Sequence, residues 1–300
     1  MAQTNVPASD LDLRWKRHVQ TIEETIEGYL CHDPGVPARL YEAMLYSLRA
    51  GGKRLRPVMV LLACEACNGE AIRALPAAVA IELVHTYSLI HDDLPAMDND
   101  DLRRGRPTSH KVFGEGMAVL AGDALLTYAF HILARHLEHD KLVRRLVLEL
   151  AGAAGAFGMI GGQVVDLESE NTVGTLDTVQ YIHTHKTAVM FRAAARMGGC
   201  CADANEPQLD RLGDYGLKLG LAFQITDDLL DLSASSEEMG KRTGKDAAAG
   251  KLTYPAVVGE GQSRQEAQRL MTDAIDALAP LAEPAEPLRA LARKIADRRN

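Results

Sequence analysis

Apolar residues recur at three- and four-residue steps along almost the whole of this chain, and no convincing two-residue alternation interrupts them. That period marks amphipathic helices, because about 3.6 residues complete one turn. Trp15, Val19, Ile22, Ile26 and Leu30 define an opening helix over 12–31. A second is expected over 40–48, stopped by Gly51-Gly52. Pro57 opens a third, and Pro76 opens one that runs to about Asp93, where Pro95 breaks it. Further helices are expected at 115–137, 139–170, 175–199, 207–232, 253–258 and 263–297. Only two connections are long, 94–110 and 233–252; both are polar and both adjoin acidic clusters. With no internal repeat, low-complexity tract or linker in view, the economical reading is one all-α domain over 1–300.

Composition narrows the partners. Lys plus Arg total 33 against 41 Asp plus Glu, a net charge of −8, which argues against a nucleic-acid or anionic-membrane surface. Hydrophobic content of 47% with only 5% aromatics suits an Ala- and Leu-rich helical protein. The odd number of cysteines, 5, and a C-x-x-C pair (Cys64, Cys67) with no companion fit small apolar residues in a reducing compartment. The N-terminus has no apolar signal core, and the longest uncharged run, 150–165, falls short of the roughly 18 apolar residues of a membrane span. A cytoplasmic protein without stable membrane insertion is expected.

Two acidic clusters break the ordinary pattern of solvated charge. In SLIHDDLPAMDNDDLRRGRPTSH, Asp92 and Asp93 end an apolar helix and Asp98 follows six residues later. An unbroken helix would rotate those six residues by about 240° and separate Asp92 from Asp98. Pro95 prevents that, so a turn can bring Asp98 back over the helix end. In FQITDDLLDL, Asp227 and Asp231 share one helix face, with Asp228 between them and Gln224 one turn earlier. Carboxylates without Cys or zinc-spaced His partners select hard cations, and Mg²⁺ best suits substrate phosphates.

Basic groups answer the acids. GGKRLRP sets Lys53, Arg54 and Arg56 ahead of a helix N-terminus, which itself favours anions; Arg103 and Arg104 follow the first cluster. Lys186-Thr187, Lys241, Lys245 and Lys251 supply more, the last three in the Gly-rich stretch GKRTGKDAAAGK, composed like a lid over a charged ligand. Two acidic and three basic clusters in a helical protein describe a site for diphosphate substrates.

These residues resemble the short-chain trans-prenyl diphosphate synthases, most closely the bacterial farnesyl diphosphate synthases. The likeness runs from GGKRLRP (51–57) through D-D-x₄-D (Asp92, Asp93, Asp98), LRRG, GGQ-x-x-D (161–166), HKT (185–187), D-D-x-x-D (Asp227, Asp228, Asp231) and GK-x-TYP (250–255). It implies a single large helical bundle around a deep central cavity, and a homodimer. It implies Asp92, Asp98, Asp227 and Asp231 as magnesium ligands with Asp93 and Asp228 nearby, holding about three ions together with diphosphate. It further implies Arg103, Lys186, Thr187, Gln224 and Lys241 for the allylic diphosphate, and Lys53, Arg56, His85 and Arg104 for isopentenyl diphosphate. Gln163 and Asp166 would order metal-bound water. Tyr87 and Ser88, just before Asp92, would form the floor that stops the product at farnesyl diphosphate. A geranylgeranyl diphosphate synthase shares every motif; a terpene cyclase would lack GGKRLRP and the second D-D-x-x-D. A non-catalytic regulatory subunit would be expected to lose one aspartate motif.

Overall fold

The computed structural model describes residues 10–30, 34–170, 172, 174–237 and 251–296. Its contacts gather into two compact units, Met1–Leu61 with Ile72–Val147, and Leu62–Ala71 with Leu148–Asn300.

The first unit is built on α1 (Asp10–Tyr29), α2 (Ala38–Leu48), the start of α3 (Leu55–Ala66), α4 (Leu75–Asp92), α5 (Ser109–Phe113) and α6 (Glu115–His136). Pro76 sits in the first turn of α4, where its missing N–H costs nothing. From Leu75 to Ile90 this helix is buried on nearly every side, in keeping with its high Ala, Val, Ile and Leu content. It packs along α6, and Gly122 of α6 leaves room for the His91 ring, which a Cβ there would strike. The connection after α4 is not all loop. Leu102–Arg103 (β1) and Arg106–Pro107 (β2) pair as a short antiparallel hairpin, with Leu102 opposite Pro107 and Arg103 opposite Arg106. Its turn residues Arg104 and Gly105 both have positive φ, 53° and 74°, as a two-residue primed turn demands.

The second unit contains α8 (Met159–Ser169), α9 (Leu176–Ile182), α10 (Val189–Cys201), α11 (Glu206–Glu237), α12 (Tyr254–Val258), α13 (Glu260–Ala277) and α14 (Glu286–Ala296). Here the structure corrects three expected helix spans. The helix expected over 139–170 is two, α7 (Asp140–Ala154) and α8, parted at Gly155–Gly158, where a Cβ on Gly158 would collide with the Ala153 carbonyl. The 175–199 stretch contains a π-helical turn, His183–Ala188, between α9 and α10. The 263–297 span is cut by two 3₁₀ turns, at Ala279–Leu281 and Glu283–Ala285, each opened by a proline. In addition α11 continues five residues past the expected end at 232.

By length and composition alone, the stretches 71–92, 115–136 and 140–169 are apolar enough to cross a membrane; the first is 78% buried inside the protein. The third is divided at 155–158, leaving helices of 15 and 11 residues.

Candidate active site

In the first unit the end of α4 behaves as Pro95 requires. The chain doubles back through Asn99, which has φ 51°, and the Asp98 amide donates to the Asp92 carbonyl at 2.8 Å. Asp98 is thereby returned to the helix end beside Asp92. Asp93 turns the other way. It is 3% exposed, and the Arg103 guanidinium grips both its oxygens, Nε at 2.8 and 2.9 Å and Nη2 at 2.7 Å. Burial raises the Asp93 carboxyl above its usual range, the Arg103 hydrogen bonds and charge oppose that, and Asp100 and Asp98 add to it. The residue expected near the metal is thus the one that holds an expected diphosphate ligand in place.

Arg104, at the hairpin tip, donates to the Gly51 carbonyl, and its guanidinium lies where a side chain on Gly52 would have to go. This seats the hairpin on the GGKRLRP loop. His85, seven residues before Asp92, is pushed well below the ordinary histidine range, first by burial and then by Arg56, Arg104, Arg103 and Arg54. That shift places Arg56, Arg104 and His85 in one electrostatic neighbourhood and leaves His85 neutral at physiological pH. Lys53 is exposed beside them. Tyr87 is 5% exposed, lies edge-on to His91, and its buried hydroxyl has no hydrogen-bond partner. Burial and then the Asp92 charge push that hydroxyl up to about 12. Ser88 Oγ donates to the His85 carbonyl.

In the second unit, α11 carries the other acidic motif. Asp227 and Asp231 are partly exposed, whereas Asp228 is 5% exposed and fully engaged. Its Oδ1 accepts from Gln224 Nε2 at 3.1 Å, its Oδ2 from the Tyr254 amide at 2.8 Å, and His183 Nε2 lies 3.3 Å from Oδ2. Gln224 Oε1 accepts from Thr187 Oγ1 at 2.9 Å, which ties the π-helical turn to α11. The same turn aims Lys186 at Asp166 of α8, 2.6 Å away. Gly162 makes this possible: a Cβ there would run into the Lys186 backbone. Gln163, one turn before Asp166, has a buried Nε2 without a partner. Lys241 and Lys245, with most of the expected lid at 233–252, lie outside the described residues.

No three His, Cys, Asp or Glu side chains converge as a ready metal cage among the described residues. Asp93 and Asp228 are buried and engaged, which leaves the half-buried first and last carboxylates of each motif as candidate donors. That donor set fits Mg²⁺, which is held through one or two carboxylates plus substrate phosphate oxygens rather than by an all-protein cage.

Residues 37–282 match the polyprenyl synthetase family. The chain belongs to that family. It is 50% identical over 273 residues, 88% of this chain and 73% of the relative, to the heterodimeric geranylgeranyl pyrophosphate synthase large subunit 1, chloroplastic, of Arabidopsis thaliana. An FPP/GFPP synthase from Zymomonas mobilis superposes with a TM-score of 0.86 at 38% identity, over 96% of this chain and 99% of that one. A geranyltransferase from Helicobacter pylori complexed with magnesium and isoprenyl diphosphate gives a TM-score of 0.83 at 33% identity, over 97% and 99% of the two chains. Membership makes the chain a trans-prenyltransferase with the all-α fold of this family.

Three residues with buried polar partners escape sequence reasoning. His183 stands in the sequence as one half of H-x-H, Glu82 as a single acid among apolar residues, and Tyr254 as part of GK-x-TYP. No periodicity or spacing separates them from solvated or core residues, because each acquires its role from a partner at least 26 residues away in sequence.

Proposed function

We propose that this chain condenses isopentenyl diphosphate with dimethylallyl and then geranyl diphosphate, head to tail, and releases farnesyl diphosphate. The observation that carries the reading is the return of Asp98 onto the Asp92 carbonyl with Arg103 clamped by Asp93 beside them. It sets the half-buried Asp92 and Asp98 next to a fixed guanidinium, which is what a magnesium-borne diphosphate needs. Asp92 and Asp98, and likewise Asp227 and Asp231, would hold Mg²⁺, which supplies charge neutralisation of the leaving diphosphate. Arg103 and Lys186 stabilise negative charge developing on the allylic diphosphate as its C–O bond breaks. Lys53, Arg56 and Arg104 hold isopentenyl diphosphate so that its alkene adds to the allylic cation. The new C–C bond forms, and the proton then lost passes to the departing diphosphate. Because His85 stays neutral, it donates or accepts a hydrogen bond at this site without adding charge. The reading treats residues 1–300 as one catalytic domain acting as a homodimer.

Product length rests on Tyr87. Five residues before Asp92, about 7.5 Å along the helix axis, a buried aromatic supports a floor suited to a fifteen-carbon chain. The 50% identity to a relative named as a geranylgeranyl pyrophosphate synthase subunit favours a second reading, a twenty-carbon product, and that relative is named as heterodimeric. The test is direct. Purified protein is incubated with Mg²⁺, isopentenyl diphosphate and dimethylallyl or geranyl diphosphate, and products are sized by mass. Farnesyl diphosphate alone supports the first reading, geranylgeranyl diphosphate the second, and no condensation refutes both.

A further inference from the structure

The N-terminus of α3 is held by an arginine that capping chemistry does not call for. The Arg54 carbonyl accepts the Val58 amide, so Arg54 occupies the N-cap, where Ser, Thr, Asp, Asn or Gly would serve. Its φ is +48°, in the left-handed region that strains a side chain, and it follows Gly51 and Gly52, also at positive φ. What keeps it there is a fork. Nη1 donates to Glu82 Oε1 and Nη2 to the Leu48 carbonyl, both at 2.6 Å. Both side chains of the ion pair are 3% exposed. Glu82 is the only acid in α4 before Asp92, placed one turn from His85 in a mostly apolar helix. A carboxylate so deeply buried needs a strong reason, since a well-packed apolar pair usually serves stability as well or better. The surroundings supply one. Arg54, Arg56, Arg103 and Arg104 all act on His85, so the region is crowded with cations.

We propose that Glu82 is a positioning residue for isopentenyl diphosphate. By taking up Arg54 it locks the left-handed turn between Gly52 and α3, which sets Lys53 and Arg56 on either side of that turn for the diphosphate. It also removes one guanidinium from competition, so that the remaining cations face the ligand in a fixed arrangement. The proposal rests on the reading of this cluster as the isopentenyl diphosphate site.

Two variants separate positioning from simple stabilisation. Glu82→Gln weakens the fork and leaves the buried Arg54 with only the half-exposed Glu23 carboxylate, 3.6 Å from Nε, as a charge partner. The double variant R54M/E82L replaces the pair by apolar side chains and leaves no lone charge. Steady-state kinetics with each substrate varied in turn, isopentenyl diphosphate binding by calorimetry, and thermal unfolding are measured on the full-length chain. In Glu82→Gln the KM and Kd for isopentenyl diphosphate rise about tenfold, as for the loss of one well-placed ionic hydrogen bond, while the KM for geranyl diphosphate stays within about twofold. In R54M/E82L the unfolding midpoint returns towards wild type, but the isopentenyl diphosphate KM and Kd stay raised. Recovery of both KM and Kd together with stability, or an unchanged Kd in Glu82→Gln, overturns the proposal. A wild type that binds isopentenyl diphosphate yet forms no product refutes the synthase reading instead, and the Kd values still decide the role of Glu82.

Discussion

Asp228 and Tyr254 are joined by a hydrogen bond from the Tyr254 amide to the buried Asp228 carboxylate, at 2.8 Å. It ties the start of α12 to the middle of α11 across a sequence separation of 26. The carboxylate also receives Gln224 and faces His183, so the second aspartate of this motif organises the protein around its neighbours Asp227 and Asp231. Asp93 does the same for Arg103 in the other motif. Within each D-D pair, the second aspartate is buried and the first is half-buried.

That division separates the aspartates experimentally. On the proposed reading, in which Asp92 and Asp227 are magnesium ligands, Asp92→Ala and Asp227→Ala should each lower turnover by about two orders of magnitude or more while keeping the helical circular dichroism and unfolding midpoint, because the metal loses a donor and carboxylate repulsion eases. Asp228→Ala should instead lower stability by about 3 kcal/mol, since it strips an acceptor from the Tyr254 amide and the Gln224 amide group. Thermal unfolding read beside activity checks this. Equal stability losses in all three variants would contradict the division.

Asp93→Ala should release Arg103. The pair is buried on the Asp93 side and about one third exposed on the Arg103 side, 4% against 31%, so the expected loss of stability is modest, about 1–3 kcal/mol. The larger effect should be on the allylic substrate, with its KM raised and the isopentenyl diphosphate KM little changed. Substrate-resolved kinetics measure the split, and an unchanged allylic KM would show that Arg103 keeps its place unaided.

His85 gives a pH signature. Its folded-state pKa lies well below 6.5, held down first by burial and then by the surrounding arginines. The unfolded chain therefore binds a proton that the folded protein refuses as pH falls below about 6.5, and stability decreases in that window by up to about 1.4 kcal/mol per pH unit until the folded pKa is reached. His85→Gln should flatten this part of the stability profile. Urea unfolding from pH 7.5 to 5 compares the two slopes; parallel slopes would mean that His85 charges normally in the folded state.

Tyr87→Ala tests the floor. Removing a ring that is 5% exposed should cost about 3 kcal/mol and open space below Asp92. On the proposed reading condensation should survive, with product moving from farnesyl towards geranylgeranyl diphosphate or longer. Mass analysis of the extracted products decides it, and an unshifted fifteen-carbon product would place the floor elsewhere.

Local chemistry was sufficient for what lies within about one turn of the residue concerned. The helical period, Pro76 at the start of α4, the Pro95 break and the recurrence of Asp98 at the helix end all follow from backbone sterics and side-chain spacing, which act between near neighbours. The family motifs were legible for the same reason, being contiguous strings. Tertiary structure alone decided the orientation of each acid: nothing in the strings DD at 92–93 and 227–228 says which carboxylate turns inward, because that depends on Arg103, His183 and the Tyr254 amide arriving from elsewhere. It likewise decided that Gly155–Gly158 would divide a helix, that the HKT segment would widen into a π turn against Gly162, and that Arg54 would sit left-handed on Glu82. A buried charge is tolerated only where its partner lands within hydrogen-bond reach, and that is a property of the packed chain, which no short window of sequence contains.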